Sequence, residues 1–268
     1  MVLSHRRPGG YPSASLREPR LAGAAAVPLV APEAPRVDKF QVFVLIAPVL
    51  LFSMVAHEYA HGYAALKQGD TTALMLGRLT WNPAKHIDPF MTIVLPVITF
   101  LTTGFIFGGA KPVPVQPRNY RHYKRGDIIV SMAGIVVNLC LVVISTILII
   151  VLGWIGRSSE ALLPSVAILQ AMMFVSVLFN LVLAFFNLLP VPPLDGSHVF
   201  KYLLPPAWAV RYQQIGFMGI FLLLLLLPVL RPFYLGPVNF FLGLSVRGTA
   251  GAFLPESIQI IRDAGFIR

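Results

Sequence analysis

The chain has 268 residues, 56% of them hydrophobic and only 12% charged, about half the roughly 25% of a soluble globular domain, and its mean hydropathy is +0.76. That balance excludes a disordered chain and argues against an ordinary soluble enzyme, while the single cysteine, Cys140, excludes an intramolecular disulfide and a cysteine-based zinc ribbon. The net charge of +10 does not point to nucleic acid, because the basic residues are dispersed between apolar runs and counterion displacement needs a continuous basic surface; they match the Lys and Arg excess in membrane-protein loops.

In chain order, residues 1–39 are rich in Pro, Ala and Arg and read as a flexible tail. Its apolar stretch at 21–30 is interrupted by Pro28 and is too short to span a bilayer. No clear hydrophobic core and cleavage site of a signal peptide follow. The first spanning run covers 40–66, with His57, Glu58 and His61 in its second half. A second, 90–107, is broken by Pro96, Thr99, Thr102, Thr103 and Gly104. Further runs cover 128–154, 166–189 and 215–230, and a short one with Gly and Pro covers 233–246. About 20 helical residues cross a 30 Å hydrocarbon core. Backbone groups in lipid must pair internally, so these runs are expected to be helices.

The predicted class is an all-α polytopic membrane protein with about five to six membrane-embedded segments. One of them is expected to be re-entrant. The run at 90–107 lies between a loop with Lys67, Arg78 and Lys85 and a loop with Lys111, Arg118, Arg121, Lys124 and Arg125. A single crossing would put those basic loops on opposite faces, against the positive-inside tendency. The last segment, 255–266, mixes Ile258, Ile261 and Phe266 with charges and reads as a short interfacial helix. The organisation is thus a tail at 1–39, a membrane-embedded domain at 40–246 and an interfacial segment at 247–268. No internal repeat is visible, which weakens an inverted-repeat transporter.

Chemistry concentrates in the first run, where 57–61 read H-E-x-x-H. Residues four apart share a helical face, so His57 and His61 can reach one ion. Zinc accepts neutral imidazole, and the intervening Glu58 can take a proton from a water. The bland alternative is a polar helix end that happens to carry two histidines. It is weak, because an ionisable group inside an apolar helix costs about 2.5–3.5 kcal/mol.

Catalytic zinc usually takes a third protein ligand, and His86, His122, His198 and the scattered acids are candidates. Asp195 stands out, since it follows an apolar run in the sequence Asn-Leu-Leu-Pro-Val-Pro-Pro-Leu-Asp-Gly at 187–196. The prolines break the helix, and Gly196 permits close approach. Asp195 could equally cap the helix that follows. Cys140, in an apolar run, reads as a small packing residue.

With H-E-x-x-H at 57–61 and N-x-x-P-x-P-x-L-D-G at 187–196, the chain resembles the site-two protease family of intramembrane zinc metalloproteases. Gly-Gly-Ala-Lys-Pro-Val-Pro-Val at 108–115 and the segment from Asn82 to Pro89 look like its compact members. The resemblance covers about 40–204. It implies that His57, His61 and Asp195 bind one zinc per chain and that Glu58 activates the water. It also implies that Asn187, beside Pro190 and Pro192, holds an unwound substrate in extended form. An extended enzyme edge could pair with that substrate, and the segments at 77–83 and 108–115 are the candidates.

One departure is Ala-Gly-Ile-Val-Val-Asn at 133–138, where the family commonly has A-G-P-x-x-N; Asn138 remains. No stretch is long enough for an inserted PDZ or cystathionine-synthase-type domain. The family's usual arrangement runs the His57 helix inward and places zinc near the cytoplasm, as the two basic loops favour. Arg6, Arg7, Arg17, Arg20, Arg36 and Lys39 instead favour a cytoplasmic N-terminus, and orientation stays open.

The expected function is a zinc-dependent endopeptidase acting within or beside substrate transmembrane helices. Its expected partners are single-span membrane proteins and the lipid bilayer, with no nucleic acid. The expected place is a bacterial cytoplasmic membrane, since no processed targeting segment is apparent. The sequence leaves oligomeric state open. Rival readings are a metal transporter using His57, His61 and Asp195, and an inactive scaffold of the same family.

Overall fold

The structure, a computed structural model, describes residues 39–103 and 108–267. The tail expected at 1–39 lies outside the described residues apart from Lys39, which opens the first helix. Among the described residues the regular structure is entirely helical. The helices are α1 (Lys39–Gln68), α2 (Thr72–Met75), α3 (Leu95–Thr103), α4 (Tyr123–Ser158), α5 (Leu163–Asn187), α6 (Asp195–Phe200), α7 (Pro206–Gln214), α8 (Gly219–Thr249) and α9 (Pro255–Asp263). Four stretches, Phe40–Gln68, Tyr123–Ser158, Glu160–Asn187 and Leu225–Thr249, are long and apolar enough to cross a membrane. The protein is an all-α polytopic membrane protein.

Two runs that the sequence separates are one helix. The stretches at 215–230 and 233–246 merge into α8, 31 residues long with Pro228, Pro232 and Pro237 inside it. In water an interior proline costs about 3 kcal/mol by removing an N–H and crowding the preceding turn. Within a bundle, neighbouring groups and local adjustments satisfy the freed carbonyls, so proline does not end a spanning helix.

Of the run at 90–107, residues 90–103 are described, and the chain comes back beside their start at 108–109. A π-helical turn, Pro89–Val94, leads into α3 and is capped by the Asp88 carboxylate, which accepts the N–H groups of Phe90 and Met91. On the return, the Gly109 N–H donates to the Met91 carbonyl at 3.0 Å and the Thr92 hydroxyl donates to the Gly109 carbonyl at 2.7 Å. Gly108 lies so close to Pro96 that a Cβ would stand 2.4 Å from its ring. Entry and exit therefore lie side by side, as a re-entrant element requires.

Helix α5 is the centre of the bundle, packed against α4, α1, α8 and α9. Its Ala171, Phe174, Val177 and Leu181 meet Ile149 of α4, Val238 of α8 and Ile261 of α9 in one buried cluster. Val175 on another face joins Val42, Ile46 and Val49 of α1. Polar groups tie the same helices, with Asn180 donating to the Ser53 hydroxyl at 2.9 Å and Ser145 to Ser176 at 2.8 Å. Such bonds between membrane helices add about 0.6 kcal/mol each.

The C-terminal segment docks on this bundle through Gln170, which is fully buried in α5. Its amide nitrogen donates to the Ile149 and Ala252 carbonyls. Its oxygen accepts from the Leu254 N–H and the Ser257 hydroxyl. Helix α9 thereby buries Ser257 and Ile261 against α5, with Ile260 packed partly against the same core.

Candidate metal centre

His57 and His61 occupy one face of α1, four residues apart, and α1 packs along α4. Asp195 is the first residue of α6, just past the Pro-rich break after α5. The break folds tightly onto α6, since a Cβ on Gly196 would lie 2.1 Å from the Leu188 carbonyl oxygen. This turn brings Asp195 to the two histidines across 138 residues of sequence.

Asp195 Oδ2 lies 3.1 Å from His57 Nε2 and 3.4 Å from His61 Nε2, and the two Nε2 atoms are 2.9 Å apart. Ligand atoms arranged tetrahedrally at about 2.0–2.1 Å from zinc would stand roughly 3.3 Å from one another, so the three atoms fit one ion. Among the described residues these three are the one group of His, Cys, Asp and Glu placed to hold a metal. The chemistry of the donors fits as well. The Nδ1–H of His61 donates to the Val130 carbonyl of α4 at 2.7 Å, which leaves its Nε2 lone pair facing the cluster.

Helix α4 serves both imidazoles from one stripe, with Val130, Gly134 and Asn138 spaced by four. Gly134 lies flat beneath the His57 ring; a Cβ there would stand 2.5 Å from Cε1 and 2.6 Å from Nε2. The Asn138 amide lies 3.2 Å from His57 Nδ1 and is fully buried. Ile135, in the place where proline is common in the resembling family, is buried in an uninterrupted α4.

Glu58 is not in the ligand group. Its Oε2 accepts the backbone N–H of Val113 at 2.7 Å. Val113 belongs to a strap without regular secondary structure, residues 108–116, that is fastened at several points. The Lys111 N–H donates to the His86 carbonyl at 2.8 Å, and the Arg78 guanidinium donates to the Lys111 carbonyl at 3.0 Å. At the other end the Gln116 N–H donates to Asp70 at 2.6 Å. The strap passes close over α1, because a Cβ on Gly62 would meet Val113 at 2.9 Å. Trp81, from the other Gly- and Pro-containing segment, stacks on Tyr59 with ring centroids 4.5 Å apart.

Asp70 is the strap's anchor. Burial pushes its carboxyl up, but hydrogen bonds from Thr72, Asn119 and Gln116 outweigh that and hold it below the ordinary value of 3.8. A depressed folded-state value means that this stabilisation is complete above the unfolded pKa and is lost only as pH falls through the lower folded one. The amides of 111–119 should therefore stay protected against hydrogen exchange down to about pH 4 and lose protection below it. Asp70→Ala leaves the Gln116 and Thr72 donors unpaired, a cost of about 1–3 kcal/mol, and should remove that protection at every pH. Hydrogen exchange read by mass spectrometry checks both.

Of the other residues singled out in the sequence, His198 does not join the cluster; its Nδ1 faces Asp127 at 3.3 Å. Asp127 is buried in α4 and also binds the buried Lys201 ammonium at 2.5 Å and the Tyr202 hydroxyl at 2.9 Å. This clamp fastens the six-residue α6 and the turn after it to α4. His86 is fully buried and engages the Thr80 carbonyl through Nε2, while His122 is exposed at the start of α4. Asn187 is half-buried at the last turn of α5 and donates to its own helix at the Leu183 carbonyl. Pro190 is exposed; Pro192 is buried, its carbonyl oxygen so near Gly219 that a Cβ there would lie 1.9 Å away. Cys140 is exposed on α4.

Sequence reasoning gave no role to Asp127 or Lys201, and named Val113 and Gly134 only as members of the candidate edge at 108–115 and of the 133–138 motif. An asparagine and a glycine four residues apart inside an apolar helix were a usable signal for the α4 stripe. A backbone N–H carries no such mark.

The family model described as peptidase family M50 matches residues 155–227, which include Asn187 and Asp195. The protein named "Putative zinc metalloprotease YwhC" from Bacillus subtilis (strain 168) is 40% identical over 182 residues, 67% of this chain and 79% of that protein. "Putative zinc metalloprotease Rip2" from Mycobacterium tuberculosis (strain ATCC 25618 / H37Rv) is 29% identical over 206 residues, 76% of this chain and 75% of that protein. The protein of the same name from Mycolicibacterium smegmatis (strain ATCC 700084 / mc(2)155) is 28% identical over 207 residues, with the same shares. No solved structure matches the chain.

Proposed function

The chain belongs to peptidase family M50, the site-2 proteases, and from that premise we propose that it is a zinc-dependent endopeptidase that cuts within or beside the transmembrane helix of single-span membrane proteins. One zinc per chain would be held by His57, His61 and Asp195. The observation that carries the reading is the convergence of their three ligand atoms, 2.9–3.4 Å from one another, with Glu58 on the same helix as both histidines. The bacterial sources of its named relatives favour a bacterial cytoplasmic membrane.

Zinc bound there supplies Lewis-acid polarisation of the scissile carbonyl and brings the pKa of a water toward neutrality. Glu58 takes the proton of that water and delivers it to the departing amine. The Val113 N–H fixes the Glu58 carboxylate by one oxygen, so the base does not swing away between the two transfers. A helical substrate hides its carbonyls in its own ladder, and lipid offers no replacement partners, so the segment to be cut must be opened and held extended. The strap at 108–116 supplies non-helical backbone beside Glu58, the candidate edge for pairing with such a segment. Asn187, with Pro190 exposed nearby and Pro192 shaping the turn, is assigned to hold the opened chain on the Asp195 side.

The test is cleavage of a panel of tagged single-span helices by purified protein in detergent, with products mapped by mass spectrometry. We expect cuts inside or next to the apolar segment, loss of cutting after zinc chelation and recovery when zinc is restored. Zinc-loaded protein that cuts soluble unfolded peptides but no membrane helix would overturn the intramembrane assignment. Zinc-loaded protein that cuts neither would overturn the protease.

A further inference from the structure

One contact to the metal cluster is chemically undecided as it stands. The Asn138 side chain is completely buried, and one end of its amide meets His57 Nδ1 at 3.2 Å. The other end, placed as the oxygen, has no hydrogen-bond partner. The two ends of an amide have nearly the same shape. At the far end an oxygen finds no donor, so no hydrogen bond there opposes turning the oxygen toward the imidazole.

An imidazole that offers Nε2 to a metal carries its proton on Nδ1, and that N–H needs an acceptor. An amide nitrogen cannot accept it; an amide oxygen can. With the nitrogen toward His57, the proton would sit on Nε2 and point at Asp195 and His61, where an ion would have to be. His61 illustrates the required arrangement four residues on, its Nδ1–H held by the Val130 carbonyl at 2.7 Å.

We propose that Asn138 is a positioning residue for the metal centre: in the zinc-loaded protein its amide oxygen accepts the Nδ1 proton of His57 and thereby holds the Nε2 lone pair on the ion. The stripe of Val130, Gly134 and Asn138 then provides the outer support for both histidine ligands from a single helix. The inference rests on the assignment of His57, His61 and Asp195 as zinc ligands.

The experiment measures zinc affinity by chelator competition on full-length protein in detergent, for wild type, Asn138→Leu, Asn138→Asp and Asp195→Ala. Asn138→Leu, which removes the acceptor at nearly constant volume, should bind zinc about 10–100-fold more weakly. Asn138→Asp, which can only accept, should bind at least as tightly as wild type. Equal affinities for Asn138→Leu and wild type, or equal weakening in Asn138→Leu and Asn138→Asp, would overturn the proposal. Nitrogen-15 spectra of labelled histidine in zinc-loaded wild type need no folded variant. They should show both ligand histidines protonated at Nδ1, and a His57 bare at Nδ1 would also overturn it. If instead wild type bound no zinc, or Asp195→Ala bound it unchanged, the ligand assignment itself would fall.

Discussion

Replacing Glu58 by glutamine is expected to lower kcat/KM for a cleaved membrane helix by about 10²–10⁴-fold while leaving zinc content at the wild-type level. The two halves of that result come from different contacts. Glu58 touches none of the three ligand atoms, so its charge is not needed to retain the ion. Its contact is with the Val113 N–H, and a glutamine oxygen accepts that bond equally well, so the strap should stay in place. What glutamine lacks is the ability to take a proton from water and pass it on. The measurement pairs a cleavage assay with metal analysis and hydrogen exchange of 108–116 on the same preparation. Cleavage at the wild-type rate would refute Glu58 as the base. A transporter using the same ligands would move metal unchanged after this substitution, and a scaffold would show no cleavage to lose.

Alanine at Gly134 is expected to empty the metal centre with all three ligand residues left in the sequence. The added Cβ would stand 2.5–2.7 Å from three atoms of the His57 ring, well inside contact distance. The ring is held from two further sides, by Asn138 and by Asp195. The imidazole must tilt, or α4 must move away from α1. Overpacking of this kind costs about 1–3 kcal/mol. Either movement separates His57 Nε2 from its two companions. The expected result is zinc content well below one per chain after dialysis against a chelator that leaves wild type loaded, together with loss of cleavage. Ala133 is the neighbouring position, so Ala133→Gly serves as the helix-flexibility control. Full zinc retention in Gly134→Ala would show that the ring has room that the packing denies.

What was legible in the sequence were the parts whose chemistry is carried by residue type. His57, Glu58 and His61 declare themselves by spacing on a helix, and Asp195 by its place after a proline break; the structure brings His57, His61 and Asp195 within 3.4 Å of one another. The return of the chain to 91–96 at Gly108 and Gly109 agrees with the re-entrant element that the charges of the flanking loops suggest. What stayed hidden depends on partners distant in the chain. The Val113 contact to Glu58 spans 55 residues and uses a backbone N–H that any residue but proline would offer. His198 looked like a possible ligand because Asp195 is three residues away, yet it faces Asp127, 71 residues back. The prolines of α8 resemble helix ends because their cost in water is large, whereas inside the bundle it is absorbed. Gln170, which docks the C-terminal segment, is one polar residue in an apolar run until Ala252 and Leu254 fold against it.

The Asp127–Lys201 clamp bears on how the protein is made. Two ligands lie within one turn of α1, but the third sits on a six-residue helix that has too few turns to hold its own position. In the folded protein α6 is fastened to α4 by Lys201 on Asp127, and Asp195 cannot join the two histidines before its own residue has been made. Ribosomes add about 5–20 residues per second, so the 138 residues between His57 and Asp195 open an interval of roughly 7–28 s during each synthesis. Throughout it the nascent chain carries an H-E-x-x-H helix with an incomplete ligand set. On the proposed function, a chain in that interval lacks the ligand set needed to cut the membrane helices inserted around it, and the order of the chain itself acts as the delay.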